Sequence, residues 1–195
     1  MKITEIKCLV STDESSGHNL AYVKTLTDEG IHGVGEVYHV GPDMASPYWV
    51  QYFEEQLKGQ DPMEIERNWA LCYQGARFPI GSSGLAALSA IDQSLWDITG
   101  KAFDKPVYEL FGGRVRDKIR AYFDIHGDTP EQLAEDAKLN VDKGFTALKA
   151  SPLSPAWREM RWNDALADAR ERFKAVRVAV GDHVDVGFDA HAAIF

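Results

Sequence analysis

Cysteine is nearly missing from these 195 residues: only Cys8 and Cys72 occur, far apart. That excludes a disulfide framework and any paired-cysteine zinc spacing. Each thiol is left as a small apolar side chain on a strand or helix. No apolar run approaches the roughly 18 residues that a membrane span needs. The opening MKITEIKCLV has no long apolar core and carries Glu5, so no secretory signal is expected. Basic residues are also scarce, 21 against 30 acidic ones, for a net charge of −9. A polyanion is held mainly by Lys and Arg, so nucleic acid is not an expected partner. A phosphate-cradling glycine loop is absent too. Gly33 and Gly35 lack a third glycine at the right offset, and no helix follows them directly. What remains is a soluble protein, expected in the cytoplasm and away from membranes, whose 45% hydrophobic and 26% charged residues are ordinary for a globular chain.

The first 40 residues predict an antiparallel meander. ITEIKCLV and LAYVKTLTD cluster β-formers around the polar stretch 11–19, DEG at 28–30 turns the chain, and GVGEVYHV follows. From about 46 to 111 the signal is helical. Asp61, Pro62 and Glu64 predict an N-cap, a first helical residue and a capping box. The strongest helix runs over 82–103, where Leu85, Leu88, Ile91, Leu95 and Ile98 form one apolar stripe. Asp92 and Asp97 lie off the stripe, on a solvated or hydrogen-bonded face. DKPVYELFGG predicts a short helix with a glycine stop, and RVRDK a connector. We therefore expect two domains, 1–115 and 116–195.

After the connector the rhythm changes to strand, helix, strand, helix, strand. KIRAYFDI, FTALKAS and VDVGF are the strands. In the first helix between them Thr129 caps, Pro130 opens, Gln132 completes the box and Gly144 ends it. This order predicts a parallel sheet with right-handed crossovers. An open nucleotide-binding sheet would want a phosphate-binding glycine turn after its first strand, and DIHGDTP is a poor one. A barrel carries its chemistry at the carboxyl ends of its strands. Those ends hold Asp124 and His126, then Lys149 and Ser151, then Asp189 and His191.

Alternation puts Val184, Val186 and Phe188 on one face of the third strand and Asp185, Gly187, Asp189 and His191 on the other. In the second strand Lys149 and Ser151 share a face. Asp189 is a hard-oxygen donor of the kind Mg²⁺ takes. A lysine stem is buried cheaply only if its ammonium finds charge or water, and an aspartate at the same mouth supplies it. His191 stands within reach for proton transfer to a substrate held there.

The meander, the helical segment ALSAIDQSLWDITGKAFDKPVYELFGG and the strands FTALKAS and VDVGFDAH together resemble the enolase superfamily, in its mandelate racemase/muconate lactonizing enzyme branch. The resemblance runs over the whole chain, and residues 85–113 are its most specific part. It implies an α+β capping domain, a meander plus helices, followed by the start of an α/β (β/α) TIM-type barrel that stops after the third strand. It implies Mg²⁺ as cofactor, with Asp189 as the first of three carboxylate ligands. Where the family commonly carries Lys-x-Lys, this chain has Lys149, Ala150 and Ser151. The missing second lysine speaks against a lysine base. Together with Asp189-Ala190-His191 it resembles the sugar-acid dehydratases of the galactonate dehydratase type.

The activity so implied is that of a hydro-lyase. A base removes the proton α to a carboxylate, the metal stabilises the enediolate, His191 protonates the leaving β-hydroxyl, and Lys149 adds positive charge near the substrate carboxylate. The base would be a histidine on a later strand. Ser151 at the second strand end, His18 and Tyr38 from the capping loops near 11–19 and 38–47, and Arg77 elsewhere in the capping domain are expected to touch a sugar-acid substrate. A full barrel takes about 250 residues. The chain therefore reads as an incomplete N-terminal part, inactive alone, of an enzyme expected to be a homo-oligomer. A racemase, epimerase or cycloisomerase of the same superfamily is the alternative, and a non-catalytic oligomerising fragment is another.

Overall fold

A strand that packs on only one side reads as alternating burial, and the start of this chain does so. In the computed structural model, which describes residues 1–14, 17, 19–38 and 43–191, Ala21, Val23, Thr25 and Thr27 are buried and the residues between them are not. They belong to β2 (Asn19–Thr27), which pairs antiparallel with β1 (Ile3–Thr12) and β3 (His32–Val37). The β1–β2 hairpin takes up both ends of the polar stretch: Thr12 pairs with Asn19, and its hydroxyl donates to the Asn19 amide oxygen at 2.9 Å. The connecting loop is therefore shorter than the expected 11–19. The second expected loop, 38–47, is shortened likewise, because a 3-10 turn at Asp43–Ala45 leads straight into α1 (Ser46–Leu57).

α2 (Ile65–Gly75), α3 (Gly81–Phe103) and α4 (Val107–Leu110) complete the first unit. Leu88, Ile91, Leu95 and Ile98 of α3 are fully buried, as the stripe requires, but Leu85 is 42% exposed. The stripe thus begins one turn late. A second face of α3 is buried as well, and it is made of small residues, Ala87, Ala90 and Ser94. β3 lies against it. A Cβ on Gly33 would come within 1.9 Å of the Ser94 carbonyl oxygen, and one on Gly35 within 1.9 Å of that of Ala90. The two glycines serve this close strand-to-helix approach. Side chains of α3 also satisfy the outer edge of β3. The Val34 N–H donates to Asp97 at 2.9 Å and the Glu36 N–H to Gln93 at 3.1 Å, so a sheet edge is covered.

One helix start is corrected. α2 begins at Ile65, not at Pro62. The Asp61 carboxylate accepts from the Met63 N–H and its carbonyl from the Glu64 N–H and the Asn68 side-chain amide. Those bonds close a turn before the helix, and the Glu64 side chain pairs with Arg67 instead of reaching back.

The chain divides into two compact units, Met1–Val115 and Arg116–Phe195. In the second, β4 (Phe123–Asp124), β5 (Ala147–Ala150) and β6 (Asp185–Phe188) are parallel and neighbour one another in chain order, the arrangement with which a (β/α) barrel starts. α5 (Pro130–Asp142) and α6 (Trp162–Val180) contribute Leu133, Ala137 and Val176 to a core shared with Leu148 and Ala150 of β5. The α5 capping box forms as the sequence requires, with Thr129 accepting from the Gln132 N–H and Gln132 reaching back to the Thr129 N–H. β4 is far shorter than the expected strand KIRAYFDI. Upstream of it, Arg120 bonds through its side chain to the Thr146 hydroxyl and carbonyl and pairs with Asp185. A guanidinium thus does there what ladder pairing would have done. Among the described residues no helix is long and apolar enough to cross a membrane.

Candidate active site at the strand ends

Parallel strands bring all their carboxyl ends to one edge of a sheet. Asp124 closes β4 and is directly in register with Lys149 of β5. Lys149 is in register with Gly187 of β6, and Asp189 follows two residues later. The Lys149 ammonium accordingly lies 3.2 Å from an Asp124 oxygen and 3.5 Å from Asp189 Oδ2. It also stands over the Tyr122 ring, 5.6 Å from its centroid. The hydrogen bond to Asp124 raises the Lys149 pKa most, with the charge of Asp189 adding to it. The lysine is held as a cation between two carboxylates.

Asp189 is held as an anion. Its Oδ1 accepts the His191 N–H at 2.8 Å, and its Oδ2 lies 3.3 Å from His191 Nδ1. These two contacts lower its pKa most, and Lys149 lowers it further. The expected route to this pairing needs correction. Strand alternation does not extend to His191, because β6 ends at Phe188 and His191 has a left-handed φ of 45°. Asp189 keeps one ladder bond, from its N–H to the Ala150 carbonyl at 2.9 Å. The chain then turns, and the turn swings the imidazole beside the carboxylate.

Asp124, Lys149, Ser151, Asp189 and His191 line one cleft of about 490 Å³, together with His126, Trp157 and Arg158. The Ser151 hydroxyl is used locally. It accepts from the Leu153 N–H and donates to the Leu153 carbonyl, which shapes the loop after β5. Tyr38 and Arg77 belong to the first unit. Tyr38 is exposed, and the Arg77 guanidinium covers the Phe78 ring at 5.5 Å in a groove lined by Tyr48, Trp49 and Tyr52. His18 lies outside the described residues.

Asp189 has the chemistry of a hard-cation ligand, but a six-coordinate Mg²⁺ site usually needs further carboxylates or substrate oxygens. No cluster of three or more metal-ligating side chains occurs among the described residues. These residues offer part of a cation site and not a whole one. Two cleft residues carry no role in the strand-end reading. His126 was visible as a polar strand end. Arg172 could have been found as the one charged side chain in the buried α6 stripe that Ala165 and Val176 define.

Residues 6–112 match the family described as mandelate racemase/muconate lactonizing enzyme, N-terminal domain. Among curated relatives, a D-galactonate dehydratase of Verminephrobacter eiseniae is 35% identical over 176 residues, covering 89% of this chain and 45% of the relative. One from Pectobacterium atrosepticum is 36% identical over the same span. The chain thus spans about half the length of the curated relatives it matches. An enolase of Agrobacterium radiobacter, solved with sodium and L-malate bound, superposes with a TM-score of 0.88 at 37% identity, covering 100% of this chain and 49% of that one. A member of the enolase superfamily from Salmonella Typhimurium gives a TM-score of 0.84 at 34% identity, covering 98% and 55%. With a capping unit that matches the family's N-terminal domain and a second unit that begins a barrel, the chain belongs to the mandelate racemase/muconate lactonizing enzyme family.

Proposed function

We propose that the full-length protein is an Mg²⁺-dependent acid-sugar dehydratase, and that this chain carries its capping domain and the first part of its active site. The observation that carries the reading is the convergence of Asp189, Lys149 and His191 on one cleft at the strand ends. The dehydratase names of the relatives make a six-carbon aldonic acid such as galactonate the first substrate to test.

The chemistry follows from the residues. A proton α to a carboxylate is very weakly acidic, and a cation held at Asp189 would stabilise the enediolate formed when it leaves. Lys149, kept charged by Asp124 and Asp189, binds the substrate carboxylate and neutralises charge as it grows. Asp189 orients the His191 ring through Nδ1 and leaves Nε2 to face the substrate. From there the imidazolium gives a proton to the departing β-hydroxyl, so that water leaves and the enol relaxes to a 2-keto-3-deoxy acid. The α-proton goes to a base that is not among the described residues, taken in this reading to be a histidine of a later strand. Tyr38, Arg77, Ser151 and His18 are the proposed substrate contacts beyond the cleft's charged groups.

The test is a screen of the full-length protein with MgCl₂ against aldonic and aldaric acids, following the 2-keto acid formed. Formation of that product supports the reading. Deuterium exchange at the α-carbon without loss of water would replace it with a racemase or epimerase. Residues 1–195 alone are expected to give no turnover, because the described residues hold no full set of metal ligands. Measurable dehydration by them would sink that part of the proposal.

A further inference from the structure

Arg172 is the buried arginine of the second unit, with a side chain only 3% exposed. A guanidinium at such a position is costly unless every donor is used, and a well-packed apolar residue would serve a core at least as well. Its neighbours on the buried stripe of α6 are Ala165 and Val176. The arginine needs a reason beyond packing, and its bonds give one. Nε donates to Asp168 one turn earlier, at 2.8 Å. Nη1 donates to the Gly127 carbonyl at 3.0 Å, and Nη2 to the Asp128 carbonyl. One planar fork from α6 therefore grips two successive carbonyls of the loop between β4 and α5.

That loop is fixed from its other side as well. The His126 N–H donates to Asp136 at 2.9 Å and the Asp128 N–H to Gln132 at 3.0 Å. Gly127 sits so close to the start of α5 that a Cβ there would meet the Leu133 nitrogen at 2.4 Å. His126 and Asp128 line the cleft that holds Lys149 and Asp189.

We infer that Arg172 is a positioning residue: it sets where the His126–Asp128 wall of the cleft stands, and through that wall how the substrate is bound. This rests on the dehydratase reading for its substrate, but not for its loop geometry. His126 and Asp128 stand in this reading as contacts and not as reacting groups, so moving them costs binding in ground and transition states alike.

The experiment compares Arg172→Met, Arg172→Lys and Val176→Ala in the full-length protein. Val176→Ala truncates the apolar core one turn further along α6 and removes no hydrogen bond to the loop carbonyls. The expected result for Arg172→Met is a KM raised about tenfold with kcat within about threefold of the parent, the signature of lost binding in ground and transition states alike. Arg172→Lys falls between the two, and Val176→Ala leaves KM unchanged. Amide exchange at His126 and Asp128 accelerates at least about tenfold in Arg172→Met, while Leu148 and Ala150 in β5 keep their protection. A folded Arg172→Met with parental KM and parental loop exchange overturns the inference. So does a KM shift that Val176→Ala reproduces. Should Arg172→Met not fold, Arg172→Lys carries the same comparison. If the parent protein dehydrates no acid sugar, the proposed function fails, and loop exchange alone decides the role of Arg172.

Discussion

In the first unit a 23-residue helix is buried along two faces, and eighteen apolar residues join one core among the described residues. In the second, two helices cover one face of a three-stranded parallel sheet, and seven do. Polar side chains follow the opposite trend. The Thr25 and Ser94 hydroxyls of the first unit are buried and spent on each other, 2.6 Å apart. The charged strand ends of the second unit stay reachable, Asp189 at 41% and His191 at 85% exposure. The difference separates two jobs. Side chains that satisfy one another hold a frame. Groups that are oriented but left partly open can act on something else.

The comparison can be broken most sharply at Asp189. Asp189→Asn in the full-length protein is expected to lower kcat/KM by about 10³-fold or more, because one group loses its anionic charge at the centre of the site. Its unfolding free energy should move by less than about 1 kcal/mol, since the aspartate is partly exposed. Steady-state kinetics beside a urea titration checks both halves. A comparable loss of stability would mean that the strand ends hold the frame after all.

In the first unit the expectation reverses. Leu95→Ala should cost about 2–5 kcal/mol of stability through the cavity it leaves, with the cleft chemistry untouched in whatever fraction remains folded. Gly35→Ala should cost about 1–3 kcal/mol, since its methyl would press on the α3 main chain. Thr129→Ala tests the second unit's scaffold with a smaller effect, about 1 kcal/mol for a lost cap, and circular dichroism against denaturant would read it.

The smallest effect concerns Asp92, whose pKa is raised by burial first and by Glu66 second. The folded state therefore binds that proton more tightly than the unfolded one. Its penalty is absent below the ordinary value of 3.8 and grows as pH rises through the raised folded value. Asp92→Asn should gain on the parent as pH goes from 4 to 7. A difference that stays flat across that range would contradict the assignment.

Most of the element order could be read from the chain because the signals were local and agreed with one another. The Thr129 box shows this: cap, proline, glutamine and terminal glycine all lie between Thr129 and Gly144. The same signature at Asp61 misled, because the Asn68 amide and two main-chain donors draw the Asp61 oxygens into a turn, and no local pattern reveals a competing partner. KIRAYFDI misled for a related reason, since Arg120 replaces a ladder with side-chain bonds that span 26 and 65 residues. At the site, Asp189 and Lys149 were legible from strand alternation. The His191 position does not follow from alternation, because β6 ends at Phe188 and the chain then turns. The α6 stripe marks Arg172 as a buried charge, but nothing in its sequence neighbourhood tells which carbonyls its guanidinium grips.

Gly33 and Gly35 have a consequence that reaches beyond packing. At these two positions the strand meets the helix main chain directly, so only a substitution of the glycines themselves would widen the gap. The thickness of the capping layer is then a constant of the fold, indifferent to drift elsewhere. Loops at the strand tips can be lengthened, shortened or recomposed while the platform beneath them keeps its dimensions. Sequence change can accumulate at its rim without renegotiating its interior.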